Sequence, residues 1–531
     1  MFCVRSRVAV SAFLLVGGAA LLGASAFAGG ESSAVRNGGT FRIALIGNQV
    51  DYIDPALSYS FEGWALLDTT CARLMRYPDK PSPAGFRLQP DAAASYPRVT
   101  NNAKTFTFRI RPRLRFSNGA RVTASAFARA INRTMAPVLE SAGAQYTQDI
   151  DAVLAKGNRL VVKLKHPRPD FPARTTMPFF CAVPPTLPVD PEGLKTFPAA
   201  GPYYVAEYVP GQRVVLSRNR FYRGTRPHHV DRFVVDLRLR TGKEVLDRIE
   251  QGGADWGLAP PRDYYDPARR LVAKYGINKL QFFLRPGLGF RGFAFNTARG
   301  VFRNNPQLRR AVNFAVDRPA FVRAVGSPLA SHVTDQYLPP GIAGFRDSDI
   351  YPLKRPNLPK ARALARGHTK GGKVVAYIPN FRPTVVQAQI LKQNLQEIGL
   401  DVEIKPFPFP VFRARVTTPG EPWDIAEQGW APDYVDPYAY INLLLDGRFA
   451  GDPNVGRFDS ARYNGLMRRA ARLRGSARYQ AYGKLDVQLA RDAAPMIAIA
   501  FENVPTLVSK RVDRRCIVLR PTLDLTAVCL K

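Results

Sequence analysis

Histidine is scarce in this chain of 531 residues: there are five, His166, His228, His229, His332 and His368. No H-E-x-x-H or C-x-x-C spacing occurs, which argues against a dedicated zinc site. There is no G-x-S-x-G elbow and no glycine-rich phosphate cradle, so two common routes to catalysis lack their sequence signals. Carboxylates are also few, 42 Asp and Glu against 76 Lys and Arg. Asp433 and Asp436 form a close pair, but two acids on one turn do not flank a bond as glycosidase chemistry requires. Beyond the N-terminus no run approaches the ~20 apolar residues of a membrane span. Internal repeats and low-complexity tracts are lacking too.

The basic excess gives a formal net charge of +34. Such a charge suits nucleic-acid binding when it gathers into a stripe or an arm. Here it is scattered, and its densest group, Arg468-Arg469 with Arg472 and Arg474, falls on a helical pattern as a solvated face. No nucleic-acid partner is expected; attraction to an anionic cell envelope is a secondary consequence. Lysine supplies only 18 of the 76 cations.

The N-terminus has its own character. Arg5 and Arg7 precede an apolar run from Val8 to Leu22, and Ala26-Phe27-Ala28 offers small residues at a cleavage site. Residues 1–28 read as a secretory signal peptide, with an uncleaved anchor as the alternative. No Cys follows the apolar run to accept a lipid. Residues 29–38 form a Gly/Ser/Asn linker. Export places the remaining four cysteines in an oxidising compartment. Cys516 and Cys529 flank a short segment with Pro521 and are paired with each other as a C-terminal hairpin. Cys71 is then paired with Cys181. Three connectivities are possible, and buried free thiols are the alternative.

Alternating runs at Gly39–Leu45, Lys104–Arg111, Leu160–Leu164, Val214–Ser217 and Phe233–Leu237 predict strands. Thr123 is placed as the cap of a helix through Phe127, Ala130 and Ile131. In the second half, Leu308, Ala311, Val312, Ala315 and Val316 follow one helix face. Lys373–Ile378, a helix through Leu391, Leu395 and Ile398 ending at Gly399, and Leu400–Ile404 make a β–α–β unit with parallel strands. Tyr482, Leu485 and Leu489 mark a late helix that ends before Pro495. The tail returns to strand-like Leu507-Val508 and Ile517–Leu519.

One segment stands apart. Gln428-Gly429-Trp430-Ala431-Pro432-Asp433-Tyr434-Val435-Asp436-Pro437-Tyr438 sets carboxylates between aromatic rings in a basic chain. Its two prolines make a helix unfavourable there and fix bends. A carboxylate on such a turn can receive a ligand ammonium, with rings as walls and cation–π partners. The competing reading is a surface turn whose Asp side chains cap local N–H groups.

Several separated segments, taken in order, resemble the family 5 solute-binding proteins of ABC transporters, which bind dipeptides, oligopeptides or nickel. Gly38-Gly39-Thr40-Phe41-Arg42 and Ile53-Asp54-Pro55-Ala56 look like the family's opening strand and "LDP" turn. Leu88–Ala93, Phe106–Arg111, Arg115–Gly119 and Val122-Thr123-Ala124 follow. Then come Gly201-Pro202-Tyr203, Val214–Asn219, Phe293–Thr297, Leu308–Val312 and Ala315–Arg318. The aromatic-acid segment is similar to the family's "W-x-x-D-Y-x-D-P" loop. Asp91 departs from the usual Leu, and the charge and cysteine pairs are unusual.

The resemblance implies an α/β fold, a two-lobed clamshell of the periplasmic-binding-protein type. Lobe I would comprise residues 39–285 and 503–531, with an extra subdomain at about 58–195; lobe II would span 286–502. Crossing strands near Phe282–Arg285 and Phe501–Thr506 would form the hinge. The implied function is an exported receptor, periplasmic or on the outer face of the cytoplasmic membrane, working as a monomer. It would capture a peptide or other small solute by hinge closure and deliver it to an ABC permease, without catalysis, metal or cofactor.

Asp433 would anchor the ligand ammonium. Ala431 would offer backbone hydrogen bonds, and Trp430 and Tyr434 would wall the pocket. Tyr59, Phe61 and Tyr146 would face the cleft from lobe I. Asn296, Asp317 and Asp436 are assigned to structure. The same fold binding a metal chelate or a sugar is the alternative function; a basic exported enzyme or envelope-associated protein is a more distant one.

Overall fold

A computed structural model describes residues 35–531 apart from 265–266, 326–328 and 521. The expected signal peptide, residues 1–28, lies outside the described residues, as does most of the 29–38 linker. No helix among the described residues is long and apolar enough to cross a membrane.

Two sheets organise the chain as two lobes. The first has five strands in the order Trp256–Gly257, Thr40–Ile46, Arg232–Leu239, Arg213–Arg218 and Tyr203–Val209. Thr40–Ile46 runs parallel to Arg232–Leu239, with Phe41 opposite Phe233. The second has six, in the order Ser331–Val333, Met496–Leu507, Phe282–Phe295, Ile425–Trp430, Lys373–Pro379 and Asp401–Phe407. Both faces of this sheet are covered. Phe290 and Ala294 pack into one apolar cluster, while Phe293 and Phe295 of the same strand pack into another. That split follows from side chains alternating across a strand.

The expected β–α–β unit is present. Lys373–Pro379 and Asp401–Phe407 pair in parallel through the helix Arg382–Gln396. Gly399, at φ 81°, makes the turn between them, a conformation that favours glycine. The helix face at 308–316 is realised as Pro306–Ala315.

Phe282–Phe295 and Met496–Leu507 form a long antiparallel ribbon, with Phe283 opposite Thr506 and Arg285 opposite Val504. Val508, one residue beyond the ribbon, bridges to Trp256 in the first sheet, so the ribbon links the two sheets. Between Pro286 and Phe290 the register shifts, and three residues of one strand oppose Glu502 alone. Gly287 and Gly289 sit in this bulge; a Cβ on Gly287 would lie 2.7 Å from the Glu502 carbonyl oxygen.

A four-stranded antiparallel sheet, Arg98–Thr100, Thr105–Arg109, Arg159–Leu164 and Ile150–Lys156, forms a further layer within the first half. Its strands fall inside the stretch expected to be the subdomain.

Two local expectations need correction. Thr123 precedes the helix Ala124–Thr134 but makes no capping bond; its hydroxyl lies 2.7 Å from that of Ser125 instead. Of the tail, Leu507 ends a strand and Val508 bridges to Trp256, but the second expected strand does not form. Ile517–Leu519 is irregular, tied by single bridges between Leu519 and Leu523 and between Val512 and Leu530. The segment is too short for a ladder.

Both cysteine pairs form as expected, Cys71–Cys181 with Cα atoms 5.2 Å apart and Cys516–Cys529 at 5.6 Å. The first closes a loop of 110 residues in sequence. Replacing Cys71 and Cys181 together by Ser is expected to cost about 2–4 kcal/mol, chiefly by freeing the unfolded chain. Denaturant titration of the double variant checks this; an unchanged midpoint contradicts it.

Candidate functional site

The strand Ile425–Trp430 pairs with Phe282–Phe295, placing Trp430 opposite Phe290 and Gln428 opposite Gly292. Past Trp430 the chain leaves the sheet, and Pro432 and Pro437 bound an irregular loop before the helix Tyr438–Leu445. Asp436 is buried in this loop. Its oxygens accept two 2.7 Å bonds from the Arg478 guanidinium and a 2.8 Å bond from the Tyr438 N–H. It thus locks the loop to the helix Gly475–Gln488. This is the structural role assigned to Asp436 from sequence.

Asp433 has a different environment. Tyr59 donates to one of its oxygens at 2.9 Å, and Tyr146 donates to the other. Among the described residues no Lys, Arg or His forms an ion pair with it. Burial pushes its carboxyl above the ordinary carboxylate range, and the two phenol hydrogen bonds offset that shift only in part. An anion held by two neutral donors, without a countercharge, is arranged to receive a cation.

The phenols are themselves well positioned. Asp51 accepts the Tyr59 N–H at 2.5 Å and the Ser60 hydroxyl at 2.7 Å, which shapes the preceding turn. Ser60 then caps the helix Phe61–Thr70 through the Gly63 N–H. Tyr146 stacks on Phe179 at 6.0 Å, and Phe179 also meets Trp64 edge-on. The structure therefore brings Tyr59, Tyr146 and Asp433 together. Phe61 begins its helix 78% exposed and makes no ring contact among the described residues.

Tyr434 is placed differently from expectation. Its ring is buried among apolar side chains of the first half, and its hydroxyl donates to Asp170 at 2.7 Å. It presents no open face to a ligand. The cause lies in the loop: Asp433 turns toward Tyr59 and Tyr146, which carries the next residue into the apolar cluster of the first half. Tyr77 also donates to the Val435 carbonyl, fastening the same loop.

Trp430 and exposed Ala431 line a cavity of about 280 Å³. The Trp430 indole N–H is buried and has no hydrogen-bond partner among the described residues. Phe409 and Phe412 supply apolar wall; Arg291, Arg413, Glu427 and Glu502 supply charge. Sequence reasoning did not single out these four charged residues. Glu427 had a faint signal, standing three residues before Trp430 on a short strand. The others come from strands and helices far away in sequence.

Asn296 and Asp317 are structural, as assigned. Buried Asn296 donates to the Trp423 carbonyl, and Asp317 caps the helix Arg318–Ala324 through the Ala320 N–H. No group of three or more potential metal-ligating side chains occurs among the described residues.

Comparison with known proteins supplies the context. The model of "Bacterial extracellular solute-binding proteins, family 5 Middle" matches residues 87–452. The probable D,D-dipeptide-binding periplasmic protein DdpA of Escherichia coli (strain K12) is 22% identical over 447 residues, covering 80% of this chain and 82% of that protein. The dipeptide-binding protein DppE of Bacillus subtilis (strain 168) is 23% identical over 514 residues, covering 88% and 87%. Among solved structures, clavulanic acid biosynthesis oligopeptide binding protein 2 superposes with a TM-score of 0.80 at 22% identity, over 93% of this chain and 96% of that one. That superposition bears out the two-lobed α/β fold.

Proposed function

The chain belongs to the bacterial extracellular solute-binding proteins of family 5, and from that premise we propose that it is the peptide receptor of an ABC importer, with Asp433 as the anchor for the ligand's ammonium group. The observation that carries the reading is the half-buried Asp433 carboxylate, held between two phenols and ion-paired with no cation among the described residues. Relatives named for dipeptides support the ligand class.

In this reading lobe I comprises 39–285 with 503–531, its subdomain about 58–195, and lobe II 286–502. The long ribbon is the hinge. Tyr59 and Tyr146 come from the first lobe and Asp433 from the second, so a ligand at Asp433 touches both. It stabilises the closed state by the difference between its affinities for the closed and open forms. The protein acts outside the cytoplasmic membrane, as a monomer, and hands its ligand to a permease without chemical change. Ala431, exposed beside the cavity, offers backbone groups to an extended ligand.

Mass spectrometry of the ligand released on denaturing the purified protein tests the proposal. A peptide with a free N-terminus is expected; a sugar or a metal chelate overturns the ammonium anchor.

The raised titration of Asp433 gives a signed pH dependence. Burial favours its protonated form in the free protein, whereas a bound ammonium favours the carboxylate. Cation binding therefore expels a proton once Asp433 has begun to protonate. Affinity is expected to be level above the free carboxyl's pKa and to fall by up to about tenfold per pH unit below it. It also declines above ~pH 8, where the ligand's α-amino group loses its charge. Calorimetric titration across this range checks the profile; constant affinity into acid contradicts it.

A further inference from the structure

The wall of the cavity beside Trp430 holds two carboxylates, Glu427 and Glu502, and two guanidiniums, Arg291 and Arg413. Glu502 accepts two contacts from Arg291, at 2.8 and 2.7 Å on one oxygen. Glu427 stands 3.6 Å from another nitrogen of Arg291, an ion pair without a hydrogen bond, and its side chain is 14% exposed. Two carboxylates thus share Arg291. The second guanidinium, Arg413, is engaged by Asp452 at 2.8 Å. Burial raises the Glu427 carboxyl above its ordinary range despite the attraction of Arg291 and Arg413. With Asp452 beside the cavity engaging Arg413 and Glu502 holding Arg291 by its closest contacts, Glu427 is the carboxylate of the wall without a hydrogen-bonded cation among the described residues.

Its other surfaces suit an extended cationic side chain. Phe409 and Phe412 offer aromatic surface to the methylene stem and to the charge. Trp430 adds an indole ring to the wall. The volume, about 280 Å³, lies just below the range of whole-ligand pockets, ~300–1,000 Å³. That size fits one group of a ligand whose ammonium lies elsewhere. Ala431, on the cavity's rim, is two residues from Asp433, so one extended peptide can reach both places.

We propose that this compartment selects a lysine or arginine side chain through Glu427, making the receptor specific for peptides that carry a basic residue besides a free N-terminus. The proposal rests on the peptide reading above.

The test uses the full mature chain and tripeptides with lysine, arginine or norleucine placed at each position in turn within an alanine background. Norleucine keeps the lysine stem and removes its charge. At one position, the lysine and arginine peptides are expected to bind at least tenfold more tightly than the norleucine peptide. Glu427→Gln should remove that preference while leaving norleucine-peptide affinity within about threefold. Equal or tighter norleucine binding at every position overturns the selectivity, and so does a lysine preference that Glu427→Gln leaves intact. If alanine and norleucine peptides bind well, the peptide reading stands while this inference fails. If no tripeptide binds, both fall.

Discussion

Asp433→Asn is expected to lower the affinity for an N-terminally free peptide by about thirtyfold or more. Removing one partner of a desolvated, hydrogen-bonded charge pair costs about 2–5 kcal/mol, because the other charge stays buried without compensation. Asn is close to Asp in size and retains polar atoms toward Tyr59 and Tyr146, so the loop keeps its seat between them. A purely structural role would leave the pH profile intact. Loss of the anchor should also remove the part of the fall in affinity on acidification that Asp433 contributes; a peptide without a basic side chain, which does not engage Glu427, reads that part alone. Calorimetry on wild type and variant reads both effects, and an unchanged affinity contradicts the anchor.

Asp54→Ala is expected to destabilise the fold by about 3–5 kcal/mol. Asp54 and Arg133 both have side chains at 0% exposure and meet in a two-pronged ion pair, at 2.9 and 2.7 Å. Asp54 also accepts the N–H groups of Ala56 and Leu194, and Arg133 donates to the Pro188 carbonyl. The pair thus joins the turn after the first strand to the helix Ala124–Thr134 and to the loop near 188–194. Removing the carboxylate strands a guanidinium away from water. The double variant Asp54→Ala, Arg133→Leu should recover much of the loss, because no uncompensated charge is left behind. Urea unfolding monitored at constant slope measures both; a single variant within 1 kcal/mol of wild type, the scale of an exposed ion pair, contradicts the prediction.

Much of the architecture was legible because its signals are local. Strands such as Arg232–Leu239 and the helix Pro306–Ala315 each carry their own hydrophobic period. The β–α–β unit was readable because consecutive periodic segments with a glycine between them leave one sensible connection. The tail was misread because Ile517-Val518-Leu519 has strand composition, yet an isolated three-residue run has no partner unless distant chain supplies one. Among the described residues, its one bridge is from Leu519 to Leu523.

The candidate site divides along the same line. The acid loop was conspicuous in sequence, and the family resemblance separated Asp433 from the turn-forming Asp436. Tyr434 was not, since an aromatic next to an acid reads equally as pocket wall or as core. The charged compartment around Glu427 was invisible because Arg291, Arg413 and Glu502 reach it from three separate elements.

By itself the sequence determined the order of the elements and the loop on which Asp433 is carried, and it left three cysteine connectivities open. Only the tertiary structure decided what that acid faces. Tyr59 and Tyr146 stand 374 and 287 residues from Asp433 in sequence, and Arg133 stands 79 from Asp54. Backbone propensity and hydrophobic period act over a few residues. The energy of a buried carboxylate depends on every dipole and charge within several ångströms, and chain folding alone chooses which residues those are.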